Sequence, residues 1–181
     1  MLNTRASGVL MHLTSIPSRY GVGVMGDETK RFIDKIKGMG FSYWQVLPLN
    51  PPDFHGSPYT SDAAFAISHM FVSPDELVKD GLVSAEDIER SVYYGSPYTA
   101  DYEFAYSARL ELLRKAYSNA GEAVKAKAEK FANENEWCKS YSLFMAAKEK
   151  FDNKPWYEWG EDFARYENCL KNADKLKAEA D

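Results

Sequence analysis

Metal and disulfide chemistry have little to work with in this sequence. It holds two cysteines, Cys138 and Cys169, far apart and outside any CxxC pair, and only three histidines. That excludes a zinc framework or a disulfide scaffold as the organising element, and leaves reduced thiols in a cytoplasmic protein as the expectation. A basic excess is missing too: Lys plus Arg number 22 against 27 Asp plus Glu, a net charge of −5, so phosphate backbones have no electrostatic hold and nucleic acid is not expected as a partner. Long apolar runs are also missing. The uncharged stretch 38–52 carries Ser42, Gln45, Asn50 and three prolines, and a bilayer needs about 20 apolar residues in a row. The uncharged stretch 6–18 has no basic lead and contains His12, Thr14, Ser15 and Pro17, so neither a membrane span nor a signal peptide is read here.

What is present suffices for a packed core: 45% of 181 residues are hydrophobic, enough for one domain, or one and part of another. Only 11 charged residues precede Val72, whereas seven of the 11 glycines do. A glycine-rich, weakly charged front reads as buried strands joined by shaped loops, and the charged, alanine-rich remainder reads as amphipathic helices.

In the front part, residues 8–13 and 43–47 are short apolar runs bounded by turn residues and suit buried strands. Between them, residues 27–39 place Phe32, Ile33, Ile36 and Met39 at helical spacing, with Asp27 and Glu28 at the start and Gly38 and Gly40 at the end. A strand, helix, strand crossover implies two parallel strands buried on both faces. The back part opens on Ser73-Pro74-Asp75-Glu76 and Ser84-Ala85-Glu86-Asp87, both capping patterns. Helices are expected over 101–120, 123–133 and 136–151, then a break at 154–160 and a polar helix over 162–181. No further strand and no internal repeat is read, so a strand pair that needs partners on both faces and edges looks cut from a larger sheet.

Several residues could carry chemistry. Gly21-Val22-Gly23-Val24-Met25-Gly26 fits GxGxxG before a helix, but residues 14–20 separate it from the first strand, so a phosphate cradle competes with a simple close-packed turn. The segment 48–71 is long for a connection and follows the C-terminal end of a parallel strand, where α/β proteins place ligands. Phe54, His55, Ser57, Tyr59, Thr60 and Asp62 there offer rings and hydroxyls that suit a sugar. Equally, Tyr59 and Phe65 could plug the end of a sheet. Asp53 and Asp62 are the only acids in the loop and read as turn or rim residues rather than as a catalytic pair, since no strand holds them rigidly. His12, closing the first strand, is either a ligand contact or a structural histidine.

These residues also carry a resemblance. Ser7-Gly8-Val9-Leu10-Met11-His12, Thr14-Ser15-Ile16-Pro17, Tyr20-Gly21-Val22-Gly23, Arg31-Phe32-Ile33-Asp34, Tyr43-Trp44-Gln45-Val46-Leu47-Pro48-Leu49, Ser57-Pro58-Tyr59 and Ala64-Phe65-Ala66 stand in the order and spacing of one family. The match continues through Glu134-Asn135-Glu136-Trp137 and Tyr141-Ser142-Leu143-Phe144 to Trp156 and Trp159. The chain resembles the N-terminal part of the 4-alpha-glucanotransferases, the amylomaltase or disproportionating-enzyme family (glycoside hydrolase family 77).

The resemblance implies an α/β fold: a partial TIM (β/α)8 barrel over residues 1–72, with its first strands, crossover helix and long loop, then a mainly helical inserted subdomain over 73–181. It implies that the catalytic carboxylates lie on later strands and have no counterpart here, that the chain alone is inactive, and that no metal or organic cofactor is needed. Tyr59 resembles the family's aromatic glucan contact, with Ser57 and Pro48 shaping the same wall, and Phe54 is similar to the aromatic of a second, remote glucan site. Departures include Ile67-Ser68-His69 in place of Gly-Asn-Pro, Asp62 where an aromatic is common, Leu13 in place of a proline and Val24 in place of an aspartate. The partner implied is a maltooligosaccharide or α-1,4-glucan, and the competing reading is a non-catalytic helical interaction or carbohydrate-binding module.

Overall fold

A short parallel pair of strands starts the fold, and everything that shapes the candidate site hangs from its C-terminal ends. The structure, a computed structural model, describes residues 5–53, 56–96 and 98–177. Strand β1 (Gly8–Leu10) pairs in parallel with β2 (Tyr43–Gln45), with Gly8 opposite Tyr43 and Leu10 opposite Gln45. Helix α1 (Asp27–Gly38) makes the crossover. Asp27 and Glu28 lie in its first turn, where negative charge favours the helix, and Lys35 and Lys37 in its last. Gly40 then adopts φ +87, a left-handed conformation that releases the chain into β2.

Both strands are shorter than the apolar runs that announce them: after β1 the chain turns into a 3-10 helix at Leu13–Ser15, and β2 ends at Gln45. They are also more exposed than a parallel sheet normally allows: Leu10 is 61% and Tyr43 48% exposed. Among the described residues the sheet has only these two strands, so nothing pairs with their outer edges. One side of the pair is covered, by a cluster of Leu13, Ile16 and Phe71 with Met11, Phe32, Trp44 and Leu49 packed against it. Trp44 Nε1 donates to Met11 O at 2.8 Å and fixes that packing.

The chain divides into two compact units, Met1–Lys125 and Ala126–Asp181. In the first, α2 (Pro74–Lys79), α3 (Ala85–Glu89) and α4 (Tyr102–Asn119) close a second core of Leu77, Val83, Ile88, Leu112 and Ala116. Ser73 caps α2 by accepting from Glu76 N, and Ser84 with Asp87 forms a complete reciprocal box at α3. Lys115 grips the same Asp87 carboxylate, which is held down at about 2 by that lysine and by the Ser84 backbone N–H. Helix α5 (Glu122–Glu134) follows α4.

In the second unit, α6 (Glu136–Lys150) packs on a knot of Trp159, Phe163 and Cys169 with Phe144 and Phe151 around it. The single polar helix expected over 162–181 is instead α7 (Tyr166–Lys171) and α8 (Asp174–Lys177). The break falls at Asn172, whose side-chain amide donates back to Asn168 O and Asp162 O and so competes with helix continuation.

Candidate functional site

The loop that leaves β2 is closed at its base like a purse. Ser68 N donates to Leu49 O at 2.8 Å, and the Asn50 side-chain amide donates to Ala63 O, so residues 50–67 return to their starting point. Within this loop Asp53 builds a turn: its carboxylate accepts from Ser57 N at 2.8 Å, its carbonyl accepts from Gly56 N, and Gly56 sits at φ +77. Asp53 therefore staples the turn, as its sequence context predicts.

The turn presents its ring outward. Ser57 Oγ accepts weakly from Tyr59 N at 3.4 Å and lies 3.4 Å from Thr60 Oγ1, leaving Tyr59 73% exposed with two hydroxyls beside its backbone. Gly56 is needed for a second reason: a Cβ there would stand 2.8 Å from the Tyr102 ring, so the turn rests directly on the start of α4. An exposed ring with hydroxyls at hand, on a turn that cannot slide, is a platform for the C–H face of a sugar.

The other expected contacts fall around this platform with different standing. Pro48 is exposed at the entrance of the loop, and Asp62 is exposed two residues past Thr60. His12 is buried under the loop, edge-on to Phe71 at 5.8 Å, with Nδ1 lacking a hydrogen-bond partner among the described residues. Burial lowers its pKa, so it is a neutral ring at neutral pH. Ser57, Tyr59 and Thr60 thus share one turn, whereas His12 is a core residue and not part of that turn. Phe54 and His55 lie outside the described residues.

Three amides of the glycine-rich stretch are occupied. Gly23 N donates to Thr14 O, Met25 N to Phe71 O and Gly26 N to Val24 O. A Cβ on Gly23 would stand 1.9 Å from Leu13 O and 2.9 Å from Ile16 O, so this glycine permits one backbone to cross another. The close-packed turn accounts for the motif, with three of its amides already serving the fold.

Two features escape the sequence reading above. Gly56-Ser57-Pro58-Tyr59-Thr60 recurs letter for letter as Gly95-Ser96-Pro97-Tyr98-Thr99, and each copy continues to an aspartate and a phenylalanine at the same offsets, Asp62 and Phe65, Asp101 and Phe104. The word is five residues long, far shorter than a structural repeat of about 20–50 residues. The second feature is Arg109 on α4, which is wholly buried with none of its three guanidinium nitrogens hydrogen-bonded among the described residues. It lies over the Tyr20 ring at 5.2 Å, and burial lowers its pKa to about 10. Nothing in its local sequence marks it as buried.

Among the described residues no group of three or more His, Cys, Asp or Glu side chains could hold a metal, and no helix is long and apolar enough to cross a membrane. Cys138 and Cys169 are both free.

Comparison with known proteins gives a consistent result. The profile of the 4-alpha-glucanotransferase family matches residues 11–181. A 4-alpha-glucanotransferase of Aquifex aeolicus is 41% identical over 96% of this chain and 35% of its own length. One from Streptococcus pneumoniae is 40% identical over 91% of this chain and 33% of its own. Among solved structures, an amylomaltase from Streptococcus agalactiae in complex with acarbose superposes with a TM-score of 0.88 at 33% identity, over 97% of this chain and 36% of that one. The chain thus spans about a third of the length of the relatives it matches.

Proposed function

Because the chain belongs to the 4-alpha-glucanotransferase family, glycoside hydrolase family 77, we propose that it is the N-terminal portion of an enzyme that moves α-1,4-glucan segments between maltooligosaccharides. The observation that carries this reading is the Tyr59 turn: an exposed ring flanked by Ser57 and Thr60 hydroxyls, at the C-terminal end of a parallel strand pair. The acarbose-bound amylomaltase supports it, acarbose being the ligand of a protein with the same fold over this length.

In the proposed whole enzyme, β1 and β2 are the first strands of a TIM barrel over residues 1–72, and 73–181 is a helical insertion between this part and the catalytic strands. The exposed Leu10 and Tyr43 support that placement, since barrel strands are covered by their neighbours and by the ring of helices. Retention of configuration needs two carboxyl groups about 5–5.5 Å apart, one attacking the anomeric carbon and one protonating the leaving oxygen. We assign neither to this chain. Asp53 is engaged in its own turn and Asp62 sits on an exposed loop, so both contribute shape at the rim. Tyr59, with Ser57 and Pro48 shaping the same wall and Asp62 at the rim, is assigned to hold glucan, Phe54 to a second, remote glucan contact, and His12 to support the wall. A cytoplasmic location belongs to the same proposal, supported by two unpaired cysteines.

The test is incubation of the purified chain with maltotriose and separation of the products by length. Unchanged maltotriose is expected. Glucose together with longer maltooligosaccharides, in a preparation free of contaminating enzyme, would place the catalytic carboxylates inside this chain and make Asp53 and Asp62 the candidates.

A further inference from the structure

We propose that the cavity between the loop after β1 and the loop entering α4 is a second site for an α-1,4-linked glucan chain, with Tyr98 as its stacking platform. The proposal rests on the reading of Tyr59 as a glucan contact and adds a second site to it. Its first support is the repeated word Gly-Ser-Pro-Tyr-Thr, whose two copies share one local hydrogen bond although their glycines differ, Gly56 at φ +77 and Gly95 outside the left-handed region. In the first, Ser57 Oγ accepts from Tyr59 N at 3.4 Å; in the second, Ser96 Oγ accepts from Tyr98 N at 3.3 Å. Both tyrosines are left outside the core, Tyr98 at 96% exposure. A tyrosine so exposed contributes little to packing, and in this chain the same five-residue word already presents one ring to solvent.

The second support is the cavity itself, about 280 Å³. Its lining residues include Tyr93 and Tyr98 and the hydroxyl-bearing Ser15, Ser18, Ser96 and Thr99, and no charged residue is among them. That composition selects a ligand class. A phosphate or carboxylate would find no cation to neutralise it, and a purely apolar ligand would strip water from hydroxyls without replacing their hydrogen bonds. A neutral polyol with an apolar C–H face satisfies both walls. The volume lies at the small end of ligand pockets, about 300–1,000 Å³, and fits a short stretch of a chain that continues into solvent.

The site is also held in place. Tyr93 N donates to Arg19 O at 2.8 Å and Asp101 N to Gly21 O at 3.0 Å, so the loop carrying Tyr98 is tied at both ends to the loop after β1. Asp101 then caps α4 by accepting from Phe104 N at 2.9 Å, and Tyr93 packs on Phe104 at 5.2 Å. Walls fixed before binding lower the ordering cost that would otherwise erase the affinity of so small a contact. Two sites of one chemistry on one unit would together retain a long glucan better than either alone.

The test is a titration of the isotopically labelled chain with maltoheptaose, following the backbone amides of Ser57, Tyr59 and Thr60 as one set and of Ser96, Tyr98 and Thr99 as another, with cellohexaose as the β-linked control. Both sets are expected to shift with maltoheptaose alone. Tyr98→Ala should weaken binding at the second set about tenfold, the worth of one aromatic contact, while Tyr98→Phe retains it and the first set is unmoved. Because Tyr98 is almost wholly in solvent, the rest of the spectrum should be unchanged by either substitution. Shifts confined to the first set overturn this proposal and leave the Tyr59 reading standing. Shifts confined to the second keep the proposal and remove the Tyr59 reading, and shifts at neither remove both. A second set that responds equally to Tyr98→Ala and wild type, or equally to cellohexaose, overturns the assignment of platform or of ligand.

Discussion

The Tyr102 hydroxyl donates to Thr14 Oγ1 at 3.1 Å, joining the first residue of α4 to the loop after β1 across 88 positions of sequence. The same ring supports Gly56 from the other side, so one tyrosine braces both the turn that presents Tyr59 and the wall of the Tyr98 cavity. Tyr102→Phe removes the hydrogen bond and keeps the ring. It should lower stability by about 1 kcal/mol in urea denaturation, with Thr14 left buried and lacking that donor. Tyr102→Ala also removes the support under Gly56, and should shift the amides of Ser57 and Tyr59 in the absence of sugar. An unchanged turn in Tyr102→Ala would show that Asp53 alone holds it.

Gly23 is the position where the loop after β1 tolerates no side chain. A Cβ would meet Leu13 O at 1.9 Å and Ile16 O at 2.9 Å, and both obstacles are backbone, which cannot swing aside. Gly23→Ala should cost about 3 kcal/mol or more by denaturant unfolding, through overpacking of a core that includes Leu13 and Ile16. Gly38→Ala is the control: nothing lies within 4 Å of a Cβ there, and α1 should gain slightly from a better helix former.

The same two glycines show what a sequence can and cannot say. Helix α1 is legible because its charges, apolar spacing and terminal glycines agree, and the helices from α2 to α6 follow from capping residues and periodicity in the same way. Gly23 is legible only as an odd glycine, because the carbonyls that forbid a side chain come from residues seven and ten positions earlier by way of a fold. The Tyr59 turn was readable, since Asp, Gly, Ser and Pro each constrain the backbone locally. The burial of His12 was not, because an apolar run ending in histidine looks the same whether the ring meets ligand or Phe71. Strand burial misled for a related reason: apolar runs announce faces that need covering, and the covering elements are not among the described residues.

Arg109 predicts a stabilising substitution. Its guanidinium is fully buried, has no hydrogen-bond partner among the described residues, and receives only the face of Tyr20 and the field of Asp75, which Arg19 already pairs at 2.8 Å. Cation–π attraction of about 2 kcal/mol when desolvated does not match a burial penalty of several kcal/mol. Arg109→Met keeps the volume of the side chain and should raise the unfolding free energy by about 1–2 kcal/mol, or Tm by about 3 °C or more for a chain of this size. A fall in Tm would mean that the guanidinium is satisfied by a bound water or anion.

One buried and one half-buried histidine set the pH response. Burial lowers the pKa of His12 and of His69, and at His69 the nearby positive charge of Arg109 adds to burial, against a hydrogen bond between its Nε2 and Tyr106 O that acts the other way. Unfolded histidine titrates near 6.5, so above about that pH both states hold the neutral ring and stability is flat. Below it the unfolded chain takes up protons that the folded chain refuses, and stability falls until the lowered folded values are passed. Thermal unfolding should therefore give a constant midpoint from about pH 8 to 7 and a declining one from about pH 6.5 to 5. Asp87, held at about 2, contributes its loss only at much lower pH, because its stabilising effect fades between the unfolded carboxylate value and that figure. His69→Gln, which can still reach Tyr106 O, combined with His12→Asn, should flatten the decline between pH 6.5 and 5 while leaving the acid limb below pH 4 in place. A decline unchanged by the double substitution would assign it to the exposed carboxylates instead.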